Sequence, residues 1–287
     1  FERACAGSNE LVLVAGPAGI GKSALIREIH RPMVRHRGYF ISGKFDQLAG
    51  DTPYSALAQA LRELVQRILG EPEGRLVRWR EAMSAALGVG ARVVLDVVPE
   101  LERLLGPQPP VPALAPTESA NRFHAMLRAL IGAFADERHP VAIFLDDLQW
   151  ADPATLKLIE ALVGAPELPH ILWIGAYRDD EVAPDHPLER VRRAIEDRGA
   201  PVTLRTLPPL GLVEVARLIE GAFRCAPGEA EALAAVVHDR SEGNPFFVRT
   251  YLQSLHDQGV LAFDRERGAW TWVMRSVEQA ALPDDIV

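Results

Sequence analysis

Lysine is nearly missing from this chain. Of 31 basic residues only Lys22, Lys44 and Lys157 are lysines, and the rest are arginine. A lysine that remains is expected where a compact ammonium on a flexible stem does what a guanidinium fork does less well. Cysteine is as scarce: Cys5 and Cys225 stand far apart, with no CxxC pair and no nearby histidine at metal-ligand spacing. That excludes a disulfide scaffold and a structural zinc site, and reads as reduced thiols. No apolar run approaches the length of a membrane span, and the opening residues lack a charged start followed by an apolar stretch. No membrane partner is therefore expected, and the location is expected to be cytoplasmic. An excess of positive charge is missing as well. The net charge of −8 repels phosphate backbones, so no nucleic-acid partner is expected.

What is present is ordinary for a globular protein: 48% apolar and 24% charged residues in 287, enough for one large domain or a large and a small one. The chain begins at Phe1 without methionine, about ten residues before a strand, as a fragment of a longer polypeptide would.

Hydrophobic patterning gives the organisation. Leu11 to Ala15, Gly38 to Ser42, Val141 to Leu145 and Ile171 to Ala176 read as buried strands, and Val202 to Leu204 as a short fifth. Ser23 opens a helical stretch expected to run through His30. Leu57, Leu61, Leu64, Val65 and Ile68 share one helical face between Ser55 and Leu69, as do Phe123, Met126, Leu127, Leu130, Ile131 and Phe134 further on. Glu73 to Leu105 reads as helix followed by short pieces, and the prolines of Gly106 to Pro116 read as an extended connector. Strands alternating with helices give an α/β fold with a parallel five-stranded sheet, expected order 5-1-4-3-2. Beyond Pro209 the pattern is helical at about 211–223, 228–240 and 246–258, then a hairpin turning at Asp264 to Gly268. The expected divisions are a core over 1–207 with a helical insert at about 70–116, a helical lid over 208–258, and a hairpin with the start of a further domain over 259–287.

Between the first strand and the helix after it lies GPAGIGKS: Gly16, Pro17, Ala18, Gly19, Ile20, Gly21, Lys22, Ser23. This matches GxxxxGK[ST] in the strand–loop–helix context the mechanism needs, and chance alone would produce it in roughly one such sequence in a thousand. The glycines let backbone N–H groups turn inward on phosphates, and the helix behind, with Ala24 in its first turn, adds its positive end. Lys22 is expected to reach the β- and γ-phosphates, and the Ser23 hydroxyl to ligate magnesium. The ligand expected is ATP or ADP with Mg²⁺.

Val141 to Asp147 reads VAIFLDD, a strand ending in two carboxylates. Asp146 is expected to hold magnesium through its water shell, and Asp147 to orient or deprotonate the attacking water. Asp152 before Pro153 reads as a helix N-cap, Trp150 as packing, and Gln149 as structural or as a γ-phosphate contact. Ile171 to Arg178 ends in a cation where strand ends surround a ligand. Arg178 either senses the γ-phosphate from within the chain, which is the expectation, or forms a salt bridge with Asp179, Asp180 or Glu181.

With these residues placed, the sequence resembles the STAND class of P-loop ATPases within the wider AAA+ group. It is most similar to the ATPase modules of bacterial hybrid proteins that join a serine/threonine-kinase-like domain to a sensor histidine kinase. The strings that carry the likeness are GPAGIGKSAL, GKFDQ, PYSAL, FLDDLQWADPATLKLI, GAYRDDEV, SEGNPFFVRTYLQSLHDQGVL and LPDDIV, which together span most of the chain. From the residues alone, Gly243-Asn244-Pro245 is a break between two helices. The resemblance implies that Pro245 lies against adenine, and that ADP locks a closed state which ATP opens, with slow hydrolysis. The GRE-like segment such modules carry before the first strand is absent here, which leaves that side of the adenine pocket unspecified. The implied function is a regulatory switch in a signalling kinase, with flanking kinase and sensor domains in the same polypeptide and nucleotide-dependent self-association. The alternatives are a ring-forming motor, for which no pore segment is recognisable, and a small-molecule phosphotransferase, for which GNPFF reads as too rigidly packed a lid. An ATPase module of a transcription regulator is the third.

Overall fold

The computed structural model describes residues 1–47 and 53–281. The LPDDIV ending, and any further domain expected with it, lies outside the described residues. The chain divides into two compact units, one formed by Phe1–Ala15 with Ser23–Thr206, the other by Gly16–Lys22 with Leu207 onward.

The first unit is built on a parallel sheet of β1 (Asn9–Ala15), β2 (Tyr39–Lys44), β3 (Val141–Asp146), β4 (Ile171–Tyr177) and β5 (Val202–Thr206), in the order β2-β3-β4-β1-β5. This is the expected order counted from the other edge. Every residue of β4 is buried, as an all-apolar strand covered on both faces must be. β1 starts two residues earlier than its apolar run, because Asn9 and Glu10 are buried with partners. Asn9 Nδ2 donates to the Leu162 carbonyl at 2.8 Å while its Oδ1 accepts from Trp173 Nε1 at 3.1 Å, and Arg3 pairs with Glu10 at 2.6 Å. Polar residues that satisfy one another can occupy a core strand that periodicity assigns to a loop.

The helix Ser55–Leu69 buries the expected stripe of Leu57, Leu61, Leu64, Val65 and Ile68. Each large apolar side chain so buried contributes roughly 1.5–3 kcal/mol. The insert is no separate body, since Met83, Leu87, Val94, Leu101 and Leu104 join the same core as the sheet. Between Gly106 and Ala115 there is no regular structure, and Pro116 takes the first position of the helix Pro116–Phe134. The helix opened near Ser23 differs from expectation. It runs Lys22–Arg27, and a second helix, His30–Arg35, follows. Pro32 has no N–H to offer the Glu28 carbonyl, and the junction tightens to i→i+3 bonds at Glu28 and Ile29.

In the second unit the helices Leu212–Phe223, Pro227–Ser241 and Pro245–Asp257 enclose Val215, Ile219, Leu233, Val237, Val248, Tyr251 and Leu255. β6 (Leu261–Asp264) and β7 (Ala269–Trp272) form the hairpin, its turn held by Asp264 Oδ1, which accepts from the N–H groups of Glu266 and Arg267. A short helix, Met274–Gln279, follows, with Tyr251 Oη donating to the Val277 carbonyl. No helix among the described residues is long and apolar enough to cross a membrane.

Gly43 shows how tightly helix and sheet meet, since a Cβ there would lie 1.8 Å from the Ala56 carbonyl oxygen. Backbone cannot rotate away from such a clash. Gly43→Ala is expected to destabilise the protein by about 3 kcal/mol in denaturant titration. Gly74→Ala, at an open position in the helix Glu73–Leu87, is expected to be neutral or to stabilise by up to about 1 kcal/mol.

Candidate functional site

In the second unit, Gly16–Lys22 forms a loop whose glycines take φ of 149° (Gly16), 76° (Gly19) and 96° (Gly21). Four of its carbonyls have donors. Lys22 Nζ donates to Gly16 O at 2.6 Å and Pro17 O at 2.9 Å, Asn244 Nδ2 to Ala18 O at 2.9 Å, and the Phe246 N–H to Gly19 O at 3.2 Å. In a trans peptide the N–H points opposite its own C=O. The amides of Ala18 and Gly19 therefore point away from the donors that hold the Pro17 and Ala18 carbonyls. Gly19 is fixed twice over, by its positive φ and by the Phe246 Cβ, which would lie 2.7 Å from an added Cβ. At Gly21 no atom lies within 4 Å of where a Cβ would be, so the loop keeps open space on that flank.

Asn244 is the residue that sequence reasoning missed. It caps the helix Pro245–Asp257, its Oδ1 accepting from the Phe246 N–H at 3.0 Å, while its amide grips the loop. Its place as an N-cap before Pro245 was the available signal; its hold on Ala18 was not encoded by spacing. Pro245 is the first residue of that helix, set between the two residues that bond the loop. Phe246 is exposed, so the GNPFF segment is less closely packed than expected.

In the first unit the end of β3 meets the helix that begins at the loop. Ser23 Oγ donates to Asp146 Oδ2 at 2.8 Å, and Asp146 Oδ1 accepts from the Asp147 N–H at 3.0 Å. Asp147 is buried in the left-handed region (φ 56°, ψ 46°), which aspartate tolerates better than most residues. Both of its carboxylate oxygens are engaged: Oδ2 by Lys44 Nζ at 2.9 Å and Oδ1 by Gln149 Nε2 at 3.1 Å. The hydrogen bond to Asp147 holds the Lys44 ammonium above the usual lysine range. Gln149 reaches the next strand as well, its Oε1 accepting from the Arg178 N–H at 3.2 Å.

Arg178 makes the local contact that the sequence left open. Its NH1 lies 2.7 Å from Glu181 Oε1, and its guanidinium sits 5.1 Å from the ring centre of Trp150, whose Nε1 donates to Glu181 at 2.9 Å. Trp150 thus packs and hydrogen-bonds together. Asp152 caps the helix Pro153–Leu162 as read, accepting from the Thr155 N–H at 2.8 Å. Lys44 was legible only through scarcity: it is one of three lysines, and parallel pairing sets it opposite Asp146 at the end of β2.

A magnesium ion takes hard oxygen donors and keeps several waters. A hydroxyl and a carboxylate oxygen 2.8 Å apart suit it. Among the described residues no cluster of three or more His, Cys, Asp or Glu could cage a metal.

The sheet order, the glycine loop after β1 and the acid ending β3 define a P-loop nucleoside-triphosphatase fold. The chain belongs to the AAA ATPase domain family, whose model matches residues 1–174. Over its whole length it is 26% identical to hybrid signal transduction histidine kinase G of Dictyostelium discoideum, covering 10% of that protein. Over 91% of its length it is 24% identical to the peroxide stress-activated histidine kinase mak3 of Schizosaccharomyces pombe, covering 12% of it. An uncharacterized protein of Rhizobium meliloti, R02095, is 32% identical over 54% of the chain and is covered to 15%. The chain therefore spans about a tenth of the length of the histidine kinases it matches. Among solved structures, a point mutant of Thermotoga maritima RuvB aligns at 12% identity with a TM-score of 0.46, over 94% of this chain and 61% of that one.

Asn244→Ala removes a helix cap and a loop anchor together. The expected cost is about 1 kcal/mol. Faster amide exchange at Gly19 and Ile20, with the sheet amides unchanged, is the expected signature by hydrogen-exchange mass spectrometry.

Proposed function

We propose that this chain is an ATP/ADP-binding switch with slow magnesium-dependent hydrolysis, acting within a larger signal-transduction kinase. The observation that carries the reading is the 2.8 Å hydrogen bond from Ser23 Oγ to Asp146 Oδ2. It joins the last residue of the glycine loop motif to the acid of β3, the pair from which a P-loop protein holds magnesium. Gly16–Ser23 and Ala24 would cradle the phosphates, Lys22 would neutralise them, and the ion would offset charge on the β- and γ-oxygens. Asp147 would orient or deprotonate water, Arg178 would sense the γ-phosphate, and Pro245 would lie against adenine.

Slow turnover follows from the state of Asp147. A carboxylate engaged on one oxygen by Lys44 and on the other by Gln149 is held in one orientation and keeps fewer lone pairs for a water. Arg178 must likewise leave Glu181 to reach a phosphate, so sensing costs an ion pair. These contacts favour a switch over a ring motor. The similarity to histidine kinases supports a place beside kinase and sensor domains in one cytoplasmic polypeptide. The STAND assignment, the bacterial hybrid-kinase setting with its serine/threonine-kinase-like domain, and nucleotide-dependent self-association rest on the sequence resemblance.

Lys22→Ala is expected to abolish ATP binding in calorimetry, and unchanged affinity removes the phosphate-loop assignment. Asp146→Asn is expected to spare binding in EDTA while removing the magnesium dependence of hydrolysis. For Arg178→Ala the discrimination between ATP and ADP should shrink, and discrimination equal to the parent's would end its sensor role. Steady-state turnover should stay well below about 1 per second and should not rise with protein concentration, as it would for a ring.

A further inference from the structure

The first unit holds an open cavity of about 1180 Å³ at the opposite end of the sheet from Lys44 and Asp146. It opens where β2 begins at Tyr39 and where the chain enters β3 through His139. The length of β2 separates it from the candidate nucleotide residues, about 17 Å at the usual rise per residue. Its floor is aromatic. Tyr39 stacks on His139 at 5.9 Å between ring centres, and Trp79 lies against both at 6.2 and 6.1 Å.

The polar atoms of that floor are spoken for. Tyr39 Oη and Trp79 Nε1 donate to the two oxygens of Glu71 at 3.2 and 3.3 Å, and Arg75 stands 3.9 Å from the same carboxylate. Burial, then the Glu71 charge, push the Tyr39 hydroxyl well above its usual range, so it stays protonated and keeps donating. Asp136 holds its own turn, Oδ1 accepting from the N–H groups of Arg138 and His139 at 2.8 and 2.7 Å, while its side chain stays largely exposed. The floor therefore presents apolar ring surface rather than free donors.

The rim is different. Arg37, Arg78 and Arg138 line it and form no ion pair among the described residues; Arg78 makes only a 3.4 Å bond to the Gly74 carbonyl. Against them stand two exposed carboxylates, Asp136 and Glu137. Three free guanidinium forks come from three separate segments around an apolar floor, on a chain whose net charge is −8. The volume exceeds the roughly 300–1,000 Å³ of a usual small-molecule pocket. Several separated forks match several separated carboxylates better than one compact anion.

We propose that this cavity is a docking site for an acidic polypeptide segment, its carboxylates taken by Arg37, Arg78 and Arg138 and an apolar side chain resting on Tyr39, Trp79 and His139. The site is independent of the nucleotide reading and sits at the other end of the sheet.

The test is calorimetric titration of the chain with a short capped glutamate–leucine peptide, beside its glutamine–leucine counterpart. The acidic peptide should bind saturably and weaken as salt rises, while the neutral one should not bind. The Arg78→Glu/Arg138→Glu double variant should lose at least roughly tenfold in affinity, and saturating MgATP should leave the peptide bound. Circular dichroism checks that the double variant folds; should it not, Arg138→Gln alone, at an exposed turn, carries the same comparison. Absence of saturable binding, equal binding by the charge-altered variant, or equal binding of the neutral peptide overturns the proposal. So does displacement by stoichiometric inorganic pyrophosphate, which would make the cavity a small-anion site.

Discussion

The contact between Ser23 and Asp146 is possible only because of the strand order. β1 and β3 both flank β4, and the parallel registers set Ala15 opposite Tyr177 and Leu145 opposite Gly175. The ends of β1 and β3 therefore lie at nearly the same level, on either side of one strand. A βαβ chain with β1 and β3 several strands apart would present the same motifs in sequence and hold nothing between them. Gly175 makes the last adjustment. A Cβ there would lie 2.2 Å from Leu148 Cδ1 and 2.8 Å from Leu13 Cδ2, so its absence lets the turn after Asp147 fold back over β4. That fold-back carries Gln149 to the Arg178 amide.

The same turn fixes a conflict between stability and chemistry. A buried carboxylate costs several kcal/mol unless paired and hydrogen-bonded. Asp147 meets that demand with Lys44 on one oxygen and Gln149 on the other, in a left-handed backbone conformation that itself costs of order 1 kcal/mol. The contacts that make the residue tolerable engage one lone pair on each oxygen and fix its orientation. This fold ties the ends of β2, β3 and β4 together through it, from Lys44 to Asp147 to Gln149 to Arg178.

Much of this was legible in the sequence because it depends on short-range rules. Buried parallel strands announce themselves as apolar runs, a phosphate loop as glycines at fixed spacing, and Asp152 as a cap before Pro153. The strand order and the helix Ser55–Leu69 emerged as read. What escaped was set by partners distant in sequence. The start of β1 at Asn9 depends on Leu162 and Trp173, and the hold of Asn244 on Ala18 bridges most of the chain. The break after Arg27 was readable from Pro32 but was outweighed by helical periodicity. For Arg178 the sequence favoured a γ-phosphate over a local salt bridge, and only coordinates reveal a guanidinium lying on Trp150 and Glu181.

The lopsided choice of cation has a spatial counterpart. Lys22 places one small ammonium against two backbone carbonyls in a confined space, whereas Lys44 meets a single carboxylate oxygen from an exposed position. A guanidinium at Lys22 would bring a planar fork and more donors than two carbonyls can satisfy, leaving buried N–H groups unpaired. At the far end of β2 the demand reverses. There Arg37, Arg78 and Arg138 stand at an open rim where water or a ligand can reach every donor, and a fork loses nothing by its breadth. In a chain that writes almost all its cations as arginine, Lys22 stands where a small charge must fit among fixed oxygens.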